Sequence, residues 1–307
     1  LEIVYNKTEA EERTFVQKLV DTAWPDLHPV VGQLLGRGGQ AVVYKLTFAD
    51  GHSEALKVID PSVYRDPARR KDANRRGRSE IHHHKQLSAK TDTVVKFYDS
   101  ASSCERGQDA PMCFLLRMEL LTPLDPKNLA ALDPANREKA VLQIMQGVLE
   151  ALCQTEDAGI IHRDVKCGNI LLRHDPATGQ QRFVLSDFGL ARPFHTRTDR
   201  SFFTVCGSSD HIAPEIIRRG KLIAGRSDIY SAGVMLFHLL FPQNDDYFDP
   251  ALFRQKSADF PFSPEIKNLL FSLTEVSPAS RPSPAVALIE VNRLLMQRDA
   301  EYFRCIR

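Results

Sequence analysis

Hydrophobic and polar positions divide this chain into two textures. Residues 8 to 20, TEAEERTFVQKLV, carry Phe15, Val16 and Leu19 on one helical face, with Thr8 as a cap and Glu11 three residues later. From Val30 the pattern becomes short β-rich runs, VVGQLL, AVVYKLTF and ALKVID. Asp50-Gly51 between the last two predicts a hairpin turn. A helix is expected through Glu80 to Leu87, then strands at VVKFYD and CFLLRMELL separated by an irregular stretch. Beyond Thr122 the chain turns mainly helical. Residues 136 to 158 place Val141, Ile144, Met145, Val148, Leu149 and Leu152 on one side of a long helix. A β segment with a turn at Ala177-Thr178-Gly179 interrupts, and helices resume from Pro214 to about Gln297.

The expected fold class is α+β: a bilobal arrangement with a small β-rich N-lobe and a larger helical C-lobe. We divide the chain into an N-terminal extension with a helix (1–29), an N-lobe (30–121) and a C-lobe (122–307), with a hinge near Glu119 to Leu124.

Composition narrows the functional classes. The 307 residues are 43% hydrophobic and 26% charged, which supports a packed core and argues against a disordered chain. Forty Lys+Arg against 39 Asp+Glu leave a net charge of +1, so nothing global points to nucleic acid. The basic run from Arg65 to Arg78 reads as a solvated loop and helix face in preference to a docking patch. The longest apolar run, Ala232 to Phe241, is well short of the ~18 residues that a membrane helix needs, so no membrane span is expected. No signal peptide is expected at Leu1-Glu2-Ile3-Val4, and the missing initial Met suggests a piece of a longer protein. The six cysteines lack C-x-x-C spacing and read as free thiols of an intracellular protein, cytoplasmic or nuclear.

Six short elements carry candidate chemistry. Leu35-Gly36-Arg37-Gly38-Gly39-Gln40-Ala41 lets backbone approach a phosphate, because Gly36 and Gly38 lack a Cβ. A strand follows it, which excludes the dinucleotide fingerprint. Lys57 lies within the apolar Ala55-Leu56-Lys57-Val58, and Glu80 on the next helix is placed to pair with it. Then come His162-Arg163-Asp164-Val165-Lys166-Cys167-Gly168-Asn169, Asp187-Phe188-Gly189 after a strand, and Ala213-Pro214-Glu215.

In this order and context, the set resembles the signature of the eukaryotic-type protein kinases, over about residues 30 to 292. Ala41 in place of the third loop glycine and Val165 in place of Leu are the departures, and neither removes a chemical group. The resemblance implies ATP and Mg²⁺ as cofactors and protein Ser/Thr hydroxyls as acceptors. It makes Asp164 the catalytic base and Lys166 the group neutralising the γ-phosphoryl, with Lys57 on the α- and β-phosphates held by Glu80. Asn169 and Asp187 become the metal ligands. Leu35, Gly36, Gly38, Val43, Ala55, Lys57, Glu119, Leu121 and Leu171 become the nucleotide site, with the loop over the phosphates and the Glu119 carbonyl and Leu121 amide at the adenine edge. It further implies that Glu215 pairs with Arg281 and that Asp228 holds the catalytic-loop backbone.

Lys166 and Gly207-Ser208 resemble the Ser/Thr type rather than tyrosine kinases. A pseudokinase acting as a scaffold or allosteric partner is the alternative. Thr204, with Thr196, Thr198 and Ser201 behind it, is the candidate for activating phosphorylation by an upstream kinase or by a second copy acting in trans. Counting from Glu80, His84 falls at a buried position one turn along the helix; a register error of one residue would put it on the surface.

Overall fold

The computed structural model describes residues 8–38, 41–104, 111–175, 179–194, 211–219, 225–243 and 248–305. The chain forms two compact units, Leu1–Lys90 with Val95–Leu121 and Thr91–Val94 with Thr122–Arg307.

The first unit is built on a five-stranded antiparallel sheet. Its helix α1 spans Glu9–Ala23, three residues beyond the expected end, and Thr8 and Glu11 form a reciprocal capping box. Strands β1 (Val30–Arg37), β2 (Ala41–Thr47) and β3 (Ser53–Ile59) follow, with the β2–β3 turn at Asp50-Gly51 and Gly51 at φ +86°. Helix α2 (Pro67–Ser88) and strands β4 (Phe97–Cys104) and β5 (Pro111–Glu119) complete the unit in the order β1-β2-β3-β5-β4. β2 alternates as the sequence indicates, burying Val42, Tyr44 and Leu46. β3 is central and buried along nearly its whole length, so its sequence cannot alternate. Leu56, Val58 and Leu115 pack with Val16 and Val20 of α1 and with Trp24 just after it. Ile59, Phe114 and Leu116 pack with Ile81 of α2. The helix of the N-terminal extension is therefore part of this unit's core.

Two expectations need correction here. α2 begins thirteen residues before Glu80, capped by Asp66, with Pro67 in its first turn and Ala73, Asn74 and Gly77 on a buried side. Most of the basic run is thus the outer face of one helix. The strand expected at VVKFYD starts only at Phe97 and runs on through the supposedly irregular Ser100–Cys104; Val94 bridges Leu185 instead.

The second unit opens with the short β6 (Thr122–Pro123) and helix α3 (Pro134–Asp157), whose six expected apolar residues are all buried. Next come β7 (Ile160–Ile161), β8 (Ile170–His174), β9 (Gln181–Leu185) and β10 (Arg192–Pro193). Helices α4 (Pro214–Arg219), α5 (Arg226–Leu240), α6 (Pro250–Lys256), α7 (Pro264–Leu273) and α8 (Pro284–Cys305) finish it. α3 packs against α8, β9 and α5. α5 is buried on nearly every side, which accounts for the apolar run Ala232 to Phe241. Gly179 of the predicted turn has φ +68°, while Ala177 and Thr178 lie outside the described residues. Among the described residues no helix is long and apolar enough to cross a membrane.

Candidate active site

In the first unit, sheet pairing sets three of the predicted residues side by side. Gly36 lies opposite Val43, and Val43 lies opposite Lys57. Leu35, Gly36 and Gly38 are exposed at the turn end of the β1–β2 hairpin, and Gly38 N–H donates to the Ala41 carbonyl at 2.8 Å. Gly39 and Gln40 lie outside the described residues. Lys57 points to the α2 side of the sheet, where its Nζ lies 2.5 Å from Glu80 Oε1, both groups buried. A buried lysine requires such a partner, because desolvation of an unpaired ammonium is costly. Ala55 sits two residues along the same strand, opposite Met118. Glu119 ends β5; its N–H donates to the Lys96 carbonyl at 3.0 Å. Leu121 closes this unit's sequence.

The second unit supplies the carboxylates. Between β7 and β8, residues 162–169 form a loop ending in a 3₁₀ turn at Cys167–Asn169. Asp228, at the start of α5, accepts the backbone N–H groups of His162 and Arg163, each at 2.8 Å. Arg163 is held at φ +72°, a conformation that non-glycine residues adopt only under constraint. Burial pushes the Asp228 carboxyl up, while His162 and these two N–H groups pull it down. His162 donates from Nε2 to the Ser186 carbonyl (3.1 Å), and its Nδ1 accepts from the Asp164 N–H (3.3 Å). These two bonds select the Nε2–H tautomer. The same imidazole meets Phe188 edge-on, with ring centroids 5.1 Å apart.

Asp164 is the hub of the site. Its Oδ2 lies 2.9 Å from Lys166 Nζ and accepts from Asn169 Nδ2 at 2.9 Å; the same amide donates to the Asp164 carbonyl at 2.7 Å. With the Asn169 nitrogen committed twice to Asp164, Oδ1 is the atom it can offer a cation. Ser186 donates both N–H and hydroxyl to the Asn169 carbonyl at 2.9 Å each, tying the start of the Asp187-Phe188-Gly189 turn to the loop 162–169. Asp187 has φ +66°, and its Oδ1 accepts from Gly189 N–H at 3.1 Å. A carboxylate and an amide oxygen are hard donors, and they fit Mg²⁺. Leu171 lies on β8, opposite Pro123 and Val184. Glu215 and Arg281 pair through Oε1 and Oε2 at 2.8 Å, with the arginine side chain fully enclosed.

The predicted residues thus form two groups. Leu35, Gly36, Gly38, Val43, Ala55, Lys57, Glu80, Glu119 and Leu121 belong to the first unit; Asp164, Lys166, Asn169, Leu171 and Asp187 belong to the second. Thr196, Thr198, Ser201, Thr204 and Gly207-Ser208 lie outside the described residues. Sequence reasoning missed Ser186 and Glu12, whose partners are remote or are backbone atoms; no local pattern marks either. His84 is buried, which settles its register.

A two-unit chain with a five-stranded first sheet, a helical second unit and these carboxylates defines a class of phosphotransferase-like fold. The family model described as the protein kinase domain matches residues 30–291, and the chain belongs to that family. It is 32% identical over 216 residues to "Probable serine/threonine-protein kinase PknB" of Bifidobacterium longum, covering 68% of this chain and 29% of that protein. It is 33% identical over 225 residues to "CBL-interacting protein kinase 4" of Oryza sativa subsp. japonica, covering 68% and 43%. It is 29% identical over 281 residues to "Serine/threonine-protein kinase PknL" of Mycobacterium tuberculosis, covering 88% and 66%. The chain therefore spans less than half the length of the first two of these relatives.

Proposed function

We propose that this chain transfers the γ-phosphoryl group of MgATP to Ser/Thr hydroxyls of proteins. The observation that carries the reading is the Asp164 carboxylate, oriented by Asn169 Nδ2 and accompanied by Lys166 Nζ at 2.9 Å. Phosphoryl transfer asks little covalent chemistry of the protein; it asks for position and charge. Asp164 accepts the proton of the acceptor hydroxyl and aligns that oxygen. Lys166 places positive charge where the transferred group passes, and its presence favours Ser/Thr over Tyr acceptors. Lys57, held by Glu80, orients the α- and β-phosphates under the loop at Gly36 and Gly38. The family resemblance assigns Val43, Ala55 and Leu171 to the faces of the adenine and the backbone of Glu119 and Leu121 to its edge. Asn169 Oδ1 and Asp187 would hold Mg²⁺, which would supply positive charge against the phosphates.

Activity is switched by a phosphate in the segment 190–212, first at Thr204, where about −2 charge would pair with Arg163. The residues before Asn169 are Cys167 and Gly168, so the site lacks a carboxylate there to select a substrate arginine.

The test is a thermal shift with ATP in the presence and absence of Mg²⁺, followed by radiolabel transfer to protein and peptide acceptors. Mg²⁺-dependent stabilisation and transfer, both lost in Asp187→Asn, are expected. A phosphorylated wild-type chain that transfers to no acceptor would establish the pseudokinase reading instead.

A further inference from the structure

We propose that Glu12 of α1 is a positioning residue for the phosphate end of the nucleotide: its buried carboxylate grips Arg37, between the two loop glycines, and fixes where that loop stands. The inference rests on the MgATP reading above and adds a residue that lies outside the matched kinase region, 30–291.

Glu12, Val16 and Val20 follow one another at four-residue spacing along the buried stripe of α1. A carboxylate at the head of an apolar stripe, 1% exposed, is stable only with a partner. That partner is Arg37, whose Nη1 donates to Glu12 Oε1 at 3.0 Å while Nη2 pairs with Oε2. The two-pronged geometry fixes orientation as well as distance. The Tyr44 hydroxyl shares these surroundings, pushed up to about 12 by burial first and then by the Glu12 charge.

Arg37 is the last residue of β1, flanked by Gly36 and Gly38. A Cβ added at Gly36 would meet no described atom within 4 Å, so the backbone lies open on that side of Gly36. The same helix also holds the other end of β1. Gln17 Oε1 accepts from Val31 N–H at 2.8 Å, and Gln17 Nε2 donates to the Pro29 carbonyl at 3.0 Å. One helix therefore grips the strand at Val31 and at Arg37, roughly 20 Å apart in an extended strand. Its own seat is firm, because Val16, Val20 and Trp24 sit in the sheet's core and Trp24 Nε1 donates to Asp99 at 2.7 Å. From Arg37 the constraint passes to Gly36, and through the Gly36–Val43–Lys57 row to the lysine.

Backbone N–H groups bind a phosphate well only if they already stand in place; otherwise the ordering of the loop is subtracted from affinity. The Glu12–Arg37 pair supplies that order in advance. Its loss should weaken nucleotide binding and leave the carboxylate chemistry at Asp164 untouched.

The test uses the whole chain and three variants, Glu12→Met, Arg37→Met and Glu12→Met/Arg37→Met. KM for ATP, KM for a peptide acceptor, kcat, Kd for a fluorescent ADP with Mg²⁺, and melting temperature are read for each. In Glu12→Met we expect KM for ATP and Kd to rise about tenfold, the scale of a charged hydrogen bond, with kcat and peptide KM within about twofold. The double variant leaves no buried charge unpaired, so it should melt close to wild type and still carry the raised KM. That separation of affinity from stability is what a merely structural pair would not give. Wild-type KM in the double variant, or unchanged or tighter binding in Glu12→Met, would overturn the proposal. A wild type that binds no Mg-nucleotide at all would instead remove the MgATP reading, and this inference with it.

Discussion

The imidazole of His84 meets the ring of Phe97 edge-on, with centroids 5.5 Å apart, and its Nε2 lies 2.8 Å from the Val95 carbonyl oxygen. A carbonyl only accepts, so Nε2 carries the proton. His84→Leu keeps apolar volume against Phe97 but takes this donor from Val95, which should cost about 1–3 kcal/mol. His84→Ala adds a cavity, which should bring the total loss to about 2–5 kcal/mol. Denaturant unfolding of both variants checks the order; a Leu variant as stable as wild type would contradict it.

Arg281 is a buried cation with a full set of acceptors. Besides Glu215 it donates to the carbonyls of Glu275 and Arg226, and its guanidinium lies 4.8 Å from the Tyr230 ring centroid. Glu215→Gln removes the neutralising charge and leaves the cation enclosed, so unfolding should become easier by about 3–5 kcal/mol. Glu215→Leu combined with Arg281→Met removes both charges and should recover much of that loss. If the double variant is less stable than Glu215→Gln alone, the ion pair is not the cause.

Asp60 gives a pH signature. Its carboxyl is raised chiefly by burial, with the Ser62 side chain and N–H and Arg70 opposing. At low pH both the folded and unfolded chains hold the proton. As pH rises past the ordinary carboxylate value, about 4, the unfolded chain releases it first and stability falls until the folded group also ionises. Asp60→Asn keeps the acceptor for Ser62 N–H (2.8 Å in the wild type) and has no proton to lose. The variant should therefore be the more stable at pH 7, with its advantage shrinking on acidification through the raised value. Unfolding midpoints of the two proteins from pH 3 to 7 measure the difference, and an advantage that grows on acidification would refute it.

Gly147, midway along α3, packs directly on the backbone of Phe183 in β9, where a Cβ would collide with the carbonyl oxygen. Helix propensity alone favours Ala there by about 1 kcal/mol. The packing reverses that sign, because a strand carbonyl cannot swing aside as a side chain does. Gly147→Ala should lower the melting temperature of the chain, and an unchanged or higher value would show that α3 and β9 can separate without cost.

What the sequence determined by itself is local. The alternation of β2, the apolar stripe of α3, the capping box of α1 and the turn at Gly51 were legible because each is written within one helical turn or one hairpin. The chemical groups Asp164, Lys166, Asn169 and Asp187 were legible for the same reason, since two short segments carry all four. Asp66-Pro67 is a readable helix start, but the charge that follows it hid the buried side of α2 at Ala73, Asn74 and Gly77. The strand Phe97–Cys104 is polar at Asp99, Ser100, Ser102 and Ser103; it is a strand because β5 pairs with it. Only the tertiary structure decided which groups meet across long stretches of chain. Glu12 finds Arg37 25 residues away and Trp24 finds Asp99 75 residues away; the Glu215–Arg281 pair, 66 residues apart, was implied by the family resemblance and by no local pattern. No periodicity encodes such pairs, because burial, which makes an unpaired charge costly, exists only once the core has closed over both partners.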